Sequence, residues 1–578
     1  MHIRDRAVIG ILSLALVGLT GVVIAPSFSA RAPSETPSAT LPPAHPYVEG
    51  IIGGALSVSP FSAQSVAERQ IVSLLFRGLV RLGPDDTLVG DLADHWSVDA
   101  TGASWTFHLR PGQTWQDGEP ITSEDVVFTV GALSNPSYTG PGASSWQEVT
   151  ATAGDAQTVT LTLATPLGGF LQAATQEIAP AHLLADVAPA DLPTDPFGQR
   201  PVGSGAFRLA ALDDAHALLV PYVNDGQSGE PGGPNAGSPP PTDSLATPTA
   251  TAPGSVALPY LDGIDFRFYS DVDALTSAWG LGELDGAVGL PSDVATRLAA
   301  GGGAHLLEYP STTLFAVTLN LRPTHIEFRD AAVRMALLQA IDRDAIIRDT
   351  LGGLATRADG LIPPTSWAFD PAANPDIPFD VKAAKAGLVA AGWKQSDSGG
   401  WIPKGGKDPL TIEIFSPQAD ANPAAYAIAD AVAAAWTSIG LDVAHTALAG
   451  AQFVGEHLQT GDFSVAVTGT TIGLDPDLYP LLASSQTTLH GSNYSGLQDA
   501  SLDALLVRAR APGADAARMA AYVALQTKLA AGTFVLPIAF ADVVLVVRDT
   551  LTGPRPRPIG GPGDRFWDVL TWRLAATR

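Results

Sequence analysis

Two histidines three or four residues apart on a helix can hold zinc, because that spacing puts both rings on one face. The eleven histidines of this chain are scattered, and none is so paired. Cysteine is absent, which removes thiolate metal sites, disulfides and cysteine nucleophiles in one step. There is no glycine-lysine-serine phosphate loop and no glycine-x-serine-x-glycine elbow to present a nucleophilic serine. Gly280-Leu281-Gly282 with Gly286 has the wrong spacing for a dinucleotide loop, and Glu283 and Asp285 would repel phosphate. Carboxylates are numerous, yet no spacing singles out an acid–base pair. These residue types favour recognition over covalent chemistry, and they imply neither a metal nor a cofactor.

The charge balance narrows the partner. Lys plus Arg number 32 against 58 Asp plus Glu, a net charge of −26. Such a surface repels phosphate backbones, which argues against nucleic acid. Arg4 and Arg6 precede an uncharged apolar run from Ala7 to Ala25, long enough at about 1.5 Å per residue to approach the hydrocarbon thickness of a bilayer. Ser27-Phe28-Ser29-Ala30 offers small residues for cleavage. Residues 1–30 therefore read as a signal peptide or a membrane anchor, with everything after them outside the cytoplasm. Residues 31–46 are mostly Pro, Ser, Thr and Ala, a flexible stalk, and 224–253 form a second Gly/Pro/Ser/Thr stretch expected to be a disordered insertion.

Between these stretches helix and strand signals alternate. Trp105, Phe107 and Leu109 alternate with polar residues, as do Val159, Leu161 and Leu163, and Ile264, Phe266 and Phe268; each set reads as a half-buried strand. Ser65 with Glu68 forms a capping box ahead of Ile71, Leu74, Leu75 and Leu79 on one helical face. Asp330 opens a helix carrying Val333, Leu337, Leu338 and Ile341. Asp380 caps another that ends at Gly392, and Ile428, Val432, Ala435 and Ile439 line a third, closed by Gly440. Over this length the pattern predicts a multi-lobed α/β protein. Trp96, Trp105 and Trp115 read as core rather than as stacking platforms.

The order of these segments resembles family 5 of the bacterial extracellular solute-binding proteins, the oligopeptide- and dipeptide-binding proteins of ABC importers. The likeness is carried by Ser59-Pro60, by Leu75-Phe76-Arg77-Gly78-Leu79-Val80-Arg81-Leu82, by Leu92-Ala93-Asp94-His95-Trp96 and by Trp105-Thr106-Phe107-His108-Leu109-Arg110-Pro111-Gly112. It continues through Trp115 to Pro120, Ser123 to Phe128, Ala179-Pro180-Ala181-His182-Leu183-Leu184 and Pro201 to Phe207. Arg329-Asp330 with Val333-Arg334, Ala340 to Arg343, Ala390 to Trp393 and Asn493-Tyr494-Ser495 extend it towards the C-terminus.

The resemblance implies a type II, two-lobed periplasmic-binding-protein-like fold with an additional small domain beside the first lobe. It places the first lobe at 47–311, with the small subdomain at about 82–199, the second lobe at 312–542, and a C-terminal return to the first lobe at 543–578. It implies a peptide or similar small solute held between closing lobes, and ABC permease and ATPase subunits as partners of a monomeric, extracytoplasmic protein that is secreted or held at the membrane by its N-terminal segment. A membrane-tethered sensor or surface-interaction protein on the same fold is the alternative.

By position, Gln64, Ser65 and Val66 fall where relatives touch ligand from the first lobe, although Ser65 and Glu68 serve a helix cap equally well. Residues Ala466 to Pro476 fall where peptide binders lay an extended ligand along a strand, so the backbones of Thr468 and Thr470 are expected to pair with it. In that segment relatives hold the peptide ammonium with an aspartate, a few residues after a tryptophan. Alignment on Asp475-Pro476 puts Gly469 at the tryptophan and Ile472 at the aspartate, and isoleucine cannot pair with an ammonium. Asp475 or Asp477 could substitute, or the run could be a turn. Asn320 is a further ligand candidate; Arg334 is either another or half of a structural ion pair.

Overall fold

Strand β1 (Tyr47–Ile52) is paired in parallel on both sides, so it lies inside a sheet. After it, Ser65 caps helix α1 (Val66–Leu75). The Ser65 hydroxyl accepts the Glu68 amide at 3.1 Å, and the Glu68 carboxylate takes the Ser65 and Gln64 amides at 2.9 Å each. Burial opposes ionisation of Glu68, but these amides and those of Leu56 and Ser57 hold its carboxyl below the ordinary range. The helix stops at Leu75, and Leu79 lies beyond it, not on its face. The stop comes from the turn at Ser204-Gly205, whose amides donate to the Leu75 carbonyl at 2.9 and 2.8 Å. A Cβ on Gly203 or Gly205 would overlap the carbonyl oxygen of Leu75 or Leu74, so these glycines serve close backbone approach.

We describe the protein from a computed structural model, which covers residues 45–84, 87–222, 260–487, 491–513 and 515–575. The signal or anchor segment 1–30, the stalk up to residue 44 and the insertion 224–253 lie outside the described residues.

The small subdomain is an antiparallel sheet of β2 (Ala93–Val98), β3 (Ser104–Leu109), β4 (Val149–Asp155) and β5 (Thr158–Leu163) in the order β2-β3-β5-β4. Trp105, Phe107 and Leu109 point inward with Val159, Leu161 and Leu163, as their alternation requires. Helix α2 (Ser123–Leu133), capped by Thr122 and Asp125, packs against β4. Trp115 is wholly buried, Trp105 nearly so, and Trp96 packs partly buried on the same core.

One hydrogen-bonded sheet of eleven strands runs through the rest of the molecule. It comprises β1, β6 (Phe207–Leu212), β7 (His216–Pro221), β8 (Ile264–Tyr269), β9 (Gly286–Val288), β10 (Ala304–Leu319), β11 (Thr411–Pro417), β12 (Asp442–Leu448), β13 (Val465–Thr471) and β14 (Leu536–Arg548). Their order is β12-β11-β13-β10-β14-β9-β1-β8-β7-β6, with Ala355–Arg357 also on β14. Two large cores, separate from each other and from two smaller clusters, flank this sheet. One is built from residues between Tyr47 and Tyr309 together with Leu545 to Trp572; the other is built wholly from residues between Leu314 and Phe540. Two lobes share one sheet, and β10 and β14 carry it between them.

The crossing is irregular. The β10–β14 register shifts between Pro310 and Leu314, the place where a pair of strands bends most easily. Ile559 braces this bend, giving its amide to the Pro310 carbonyl at 2.9 Å and taking the Thr312 amide at 3.2 Å. Beside it, burial pushes the Asp542 carboxyl up to about 6, with Glu308 adding repulsion. The fold therefore favours the neutral acid, and stability is lost as pH rises from the unfolded value through about 6. Asp542→Asn should raise stability near pH 8 by roughly 1–2 kcal/mol after solvent screening and leave it little changed near pH 4. Urea midpoints at the two pH values test this, and an equal gain at both would refute it.

Candidate ligand-binding site

Strand β13 supplies an open edge at the seam between the lobes. It pairs antiparallel with β10 along its whole length, from Val465↔Leu319 to Thr471↔Thr313, without a register shift. On its other side β11 pairs only Val465 and Ala466. Among the described residues the edge from Val467 onward therefore has no neighbouring strand. The Asn320 amide donates to the Ser464 carbonyl at 3.0 Å, and the Ile472 amide to the Thr312 carbonyl at 3.0 Å. Antiparallel alternation between these bonds turns the even-numbered backbones of the segment towards β10 and the odd-numbered ones away. Gly469 and Thr471 thus present their amides and carbonyls to the open edge, whereas Thr468 and Thr470 spend theirs on β10. The segment read from sequence carries a strand edge, and the backbone groups left free on it are those of Gly469 and Thr471, while those of Thr468 and Thr470 are taken by β10.

The other sequence candidates separate clearly. Ile472 is 7% exposed and packs in the second-lobe core, so an aspartate there would point into apolar surroundings and not at a ligand. Asn320 has no exposed surface, and its carboxamide is consumed by the Gly461 and Phe463 carbonyls and by Arg322, which removes it from a ligand surface. Asp475 is held by Arg518 through two bonds of 2.9 and 2.7 Å, and Asp477 by Arg510 at 2.9 Å. These arginines lie on helices α3 (Ala500–Arg510) and α4 (Asp515–Gly532). Both carboxylates are neutralised within their own lobe, so neither replaces the ammonium aspartate. Arg334 is buried and donates to the carbonyls of Phe328, Arg329, Gly532 and Thr533, a staple between chain segments and, among the described residues, not half of an ion pair. Gln64 and Val66 are exposed, while the Ser65 hydroxyl is engaged as the cap.

The small subdomain meets the second lobe close to this edge. The Gly168 amide donates to the Arg510 carbonyl at 2.8 Å. A Cβ on Gly169 would lie 2.9 Å from the Asp475 carboxyl carbon, and one on Gly102 would overlap the Pro512 ring. Only glycine permits so close an approach at these three places. At Gly469, where relatives are expected to place a tryptophan, the Phe315 ring already lies 2.9 Å from where a Cβ would sit.

A cavity of about 1200 Å³ opens on the first-lobe side, lined by Pro60, Ala63, Glu177 and the return segment around Asp564, with no second-lobe residue in its wall. Sequence reasoning passed over Glu177, although an isolated carboxylate between Ala173-Ala174 and Ile178-Ala179-Pro180 is a signal that could have marked it.

One side-chain chain has the order of a charge relay. The Ser416 hydroxyl meets His445 Nε2 at 2.7 Å, and His445 Nδ1 meets Asp430 at 2.6 Å. Ser416, however, has no exposed surface, and its hydroxyl is also within 2.9 Å of the Pro417 carbonyl. An acyl substrate has no approach to it.

Similarity to known proteins agrees with this architecture. A family model described as bacterial extracellular solute-binding proteins, family 5 Middle, matches residues 87–491. The chain belongs to this family. Among curated relatives of this family-5 protein, the oligopeptide-binding protein AppA of Bacillus subtilis is 24% identical over 80% of each chain. The glutathione-binding protein GsiB of Escherichia coli K12 is 25% identical over 58% of this chain and 59% of its own. Among solved structures, Bacillus subtilis AppA in complex with a nonapeptide superposes with a TM-score of 0.73 at 22% identity, over 92% of this chain and 98% of that one. Campylobacter jejuni NikZ in complex with Ni(L-His) gives 0.72 at 21%, over 91% and 99%. The two-lobed α/β fold inferred from sequence is the fold of these solved structures. Among the described residues no helix is long and apolar enough to cross a membrane.

Proposed function

We propose that this solute-binding protein captures a peptide or similar small polar solute between its lobes and presents the closed form to the permease of an ABC importer. The observation that carries the reading is the open edge of β13 at Gly469 and Thr471, set at the seam where two lobes share one sheet. An extended ligand adds to such an edge through its own amides, and the lobes close over it about the β10–β14 crossing. The printed descriptions of relatives, an oligopeptide binder and a glutathione binder, support a ligand rich in amides. The basic and then apolar N-terminal run supports export and attachment to the membrane, and we read the protein as acting in single copies.

Native mass spectrometry of the full chain purified from culture should show a retained small solute, and X-ray scattering should show compaction when it is restored. Once a peptide ligand is in hand, N-methylation of its successive amides should weaken binding by about tenfold at alternate positions, since each outward backbone group contributes on the order of 1 kcal/mol. The intervening positions should change little. An even loss at every position, or a ligand without amides, would overturn the strand-edge reading.

A further inference from the structure

Glu177 is a carboxylate without a cation. Its own backbone amide is the one donor acting on the carboxylate, and among the described residues it has no ion-pair partner, although it lines the first-lobe cavity. The other acids of that wall are engaged. Asp91 holds Arg77 at 2.6 Å, Asp94 holds Arg110 at 3.3 Å, and Asp568 holds Arg555 at 3.3 Å. Asp564 accepts the amides of Gly560 and Gly561 at 2.9 and 2.8 Å and is close enough to Glu177 to repel it. Arg69 and Arg81 also line the cavity, and among the described residues neither forms an ion pair with Glu177. In the second lobe, Asp475 and Asp477 are both neutralised by arginines.

We propose that the first-lobe cavity receives a cationic group of the solute, an ammonium or a guanidinium, at the Glu177 carboxylate. This rests on the solute-binding reading and names the chemistry of the solute. The site moves the demand for positive charge from the second lobe, where the family resemblance had placed it, to the first. Burial, with Asp564 adding to it, pushes the Glu177 carboxyl up to about 7. An arriving cation favours the ionised form, so binding near neutrality should expel a proton.

The test uses the full-length protein and two sets of probes. The first is agmatine alone; the second is a pool of short peptides with and without Lys or Arg, with free or acetylated N-termini. In native mass spectrometry at about pH 8.5, wild type should retain agmatine and favour cation-bearing peptides by about tenfold or more. Glu177→Gln should bind peptides without that preference and should lose agmatine, while Glu177→Asp should keep part of the preference. Near pH 5.5 wild type should behave like the Gln variant. Calorimetry of agmatine near pH 6.5 in buffers of different ionisation enthalpy should report proton release in wild type only. Equal preference in wild type and Glu177→Gln would overturn the cation site and leave the solute-binding reading standing. Agmatine retained in a Glu177-dependent way with every peptide rejected would support the cation site and overturn the peptide reading.

Discussion

Arg565→Leu should lower the stability of the first lobe by about 3–5 kcal/mol, because it strands a carboxylate where no water reaches. Glu49 and Arg565 are both wholly buried. The guanidinium donates to both Glu49 oxygens, at 3.1 Å through Nη1 and more closely through Nη2, and reaches the Gln70 side chain at 3.2 Å. The Tyr47 hydroxyl completes the set, donating to Glu49 at 2.8 Å. Burial pushes that phenol well above its ordinary range, with the Glu49 charge adding to the effect. Breaking such a pair on one side is far more costly than removing it whole. Glu49→Gln with Arg565→Leu should therefore recover most of the loss. Urea unfolding of the three variants tests this. A single variant costing less than about 1 kcal/mol would mean that the pair is solvated and holds nothing together.

The second large effect concerns closure. Gly168→Val would place a side chain against the Ala511 carbonyl oxygen and the Arg518 guanidinium, each 2.8 Å from its Cβ. Backbone cannot yield there, so the small subdomain would be held off the second lobe. Affinity for the bound solute should fall about a hundredfold or more, equivalent to roughly 2.7 kcal/mol, while the unfolding midpoint barely moves. Scattering should show that saturating solute no longer compacts the variant. A matching change at Gly450, which has open space around it, should leave affinity intact. Unaltered affinity with full compaction in Gly168→Val would show that this contact plays no part in closing.

What could be read from sequence was local. The alternation at Trp105, Phe107 and Leu109 reports a strand half-buried in a sheet, and Ser65 with Glu68 reports a helix start, because each signal spans only a few residues. The family landmarks carried the two-lobed order. The site was less legible. Which backbones of β13 are free depends on its register against β10, which is set by contacts more than 140 residues away. Asp475 and Asp477 looked available until α3 and α4 brought Arg510 and Arg518 to them. Asn320 and Ile472 look like any polar or apolar residue in a line of text, and only packing turns them inward. Glu49 and Arg565 stand 516 positions apart, with no pattern between them to announce the meeting.

That separation bears on how the molecule is made. The core between Leu314 and Phe540 is a single stretch of chain, whereas the other core cannot close until Arg565 and Trp572 arrive. A nascent polypeptide would thus be able to complete its later half while its earlier half still waited for the final residues. Truncation by even a dozen residues should leave a product with one finished body and one unfinished, an open target for proteases.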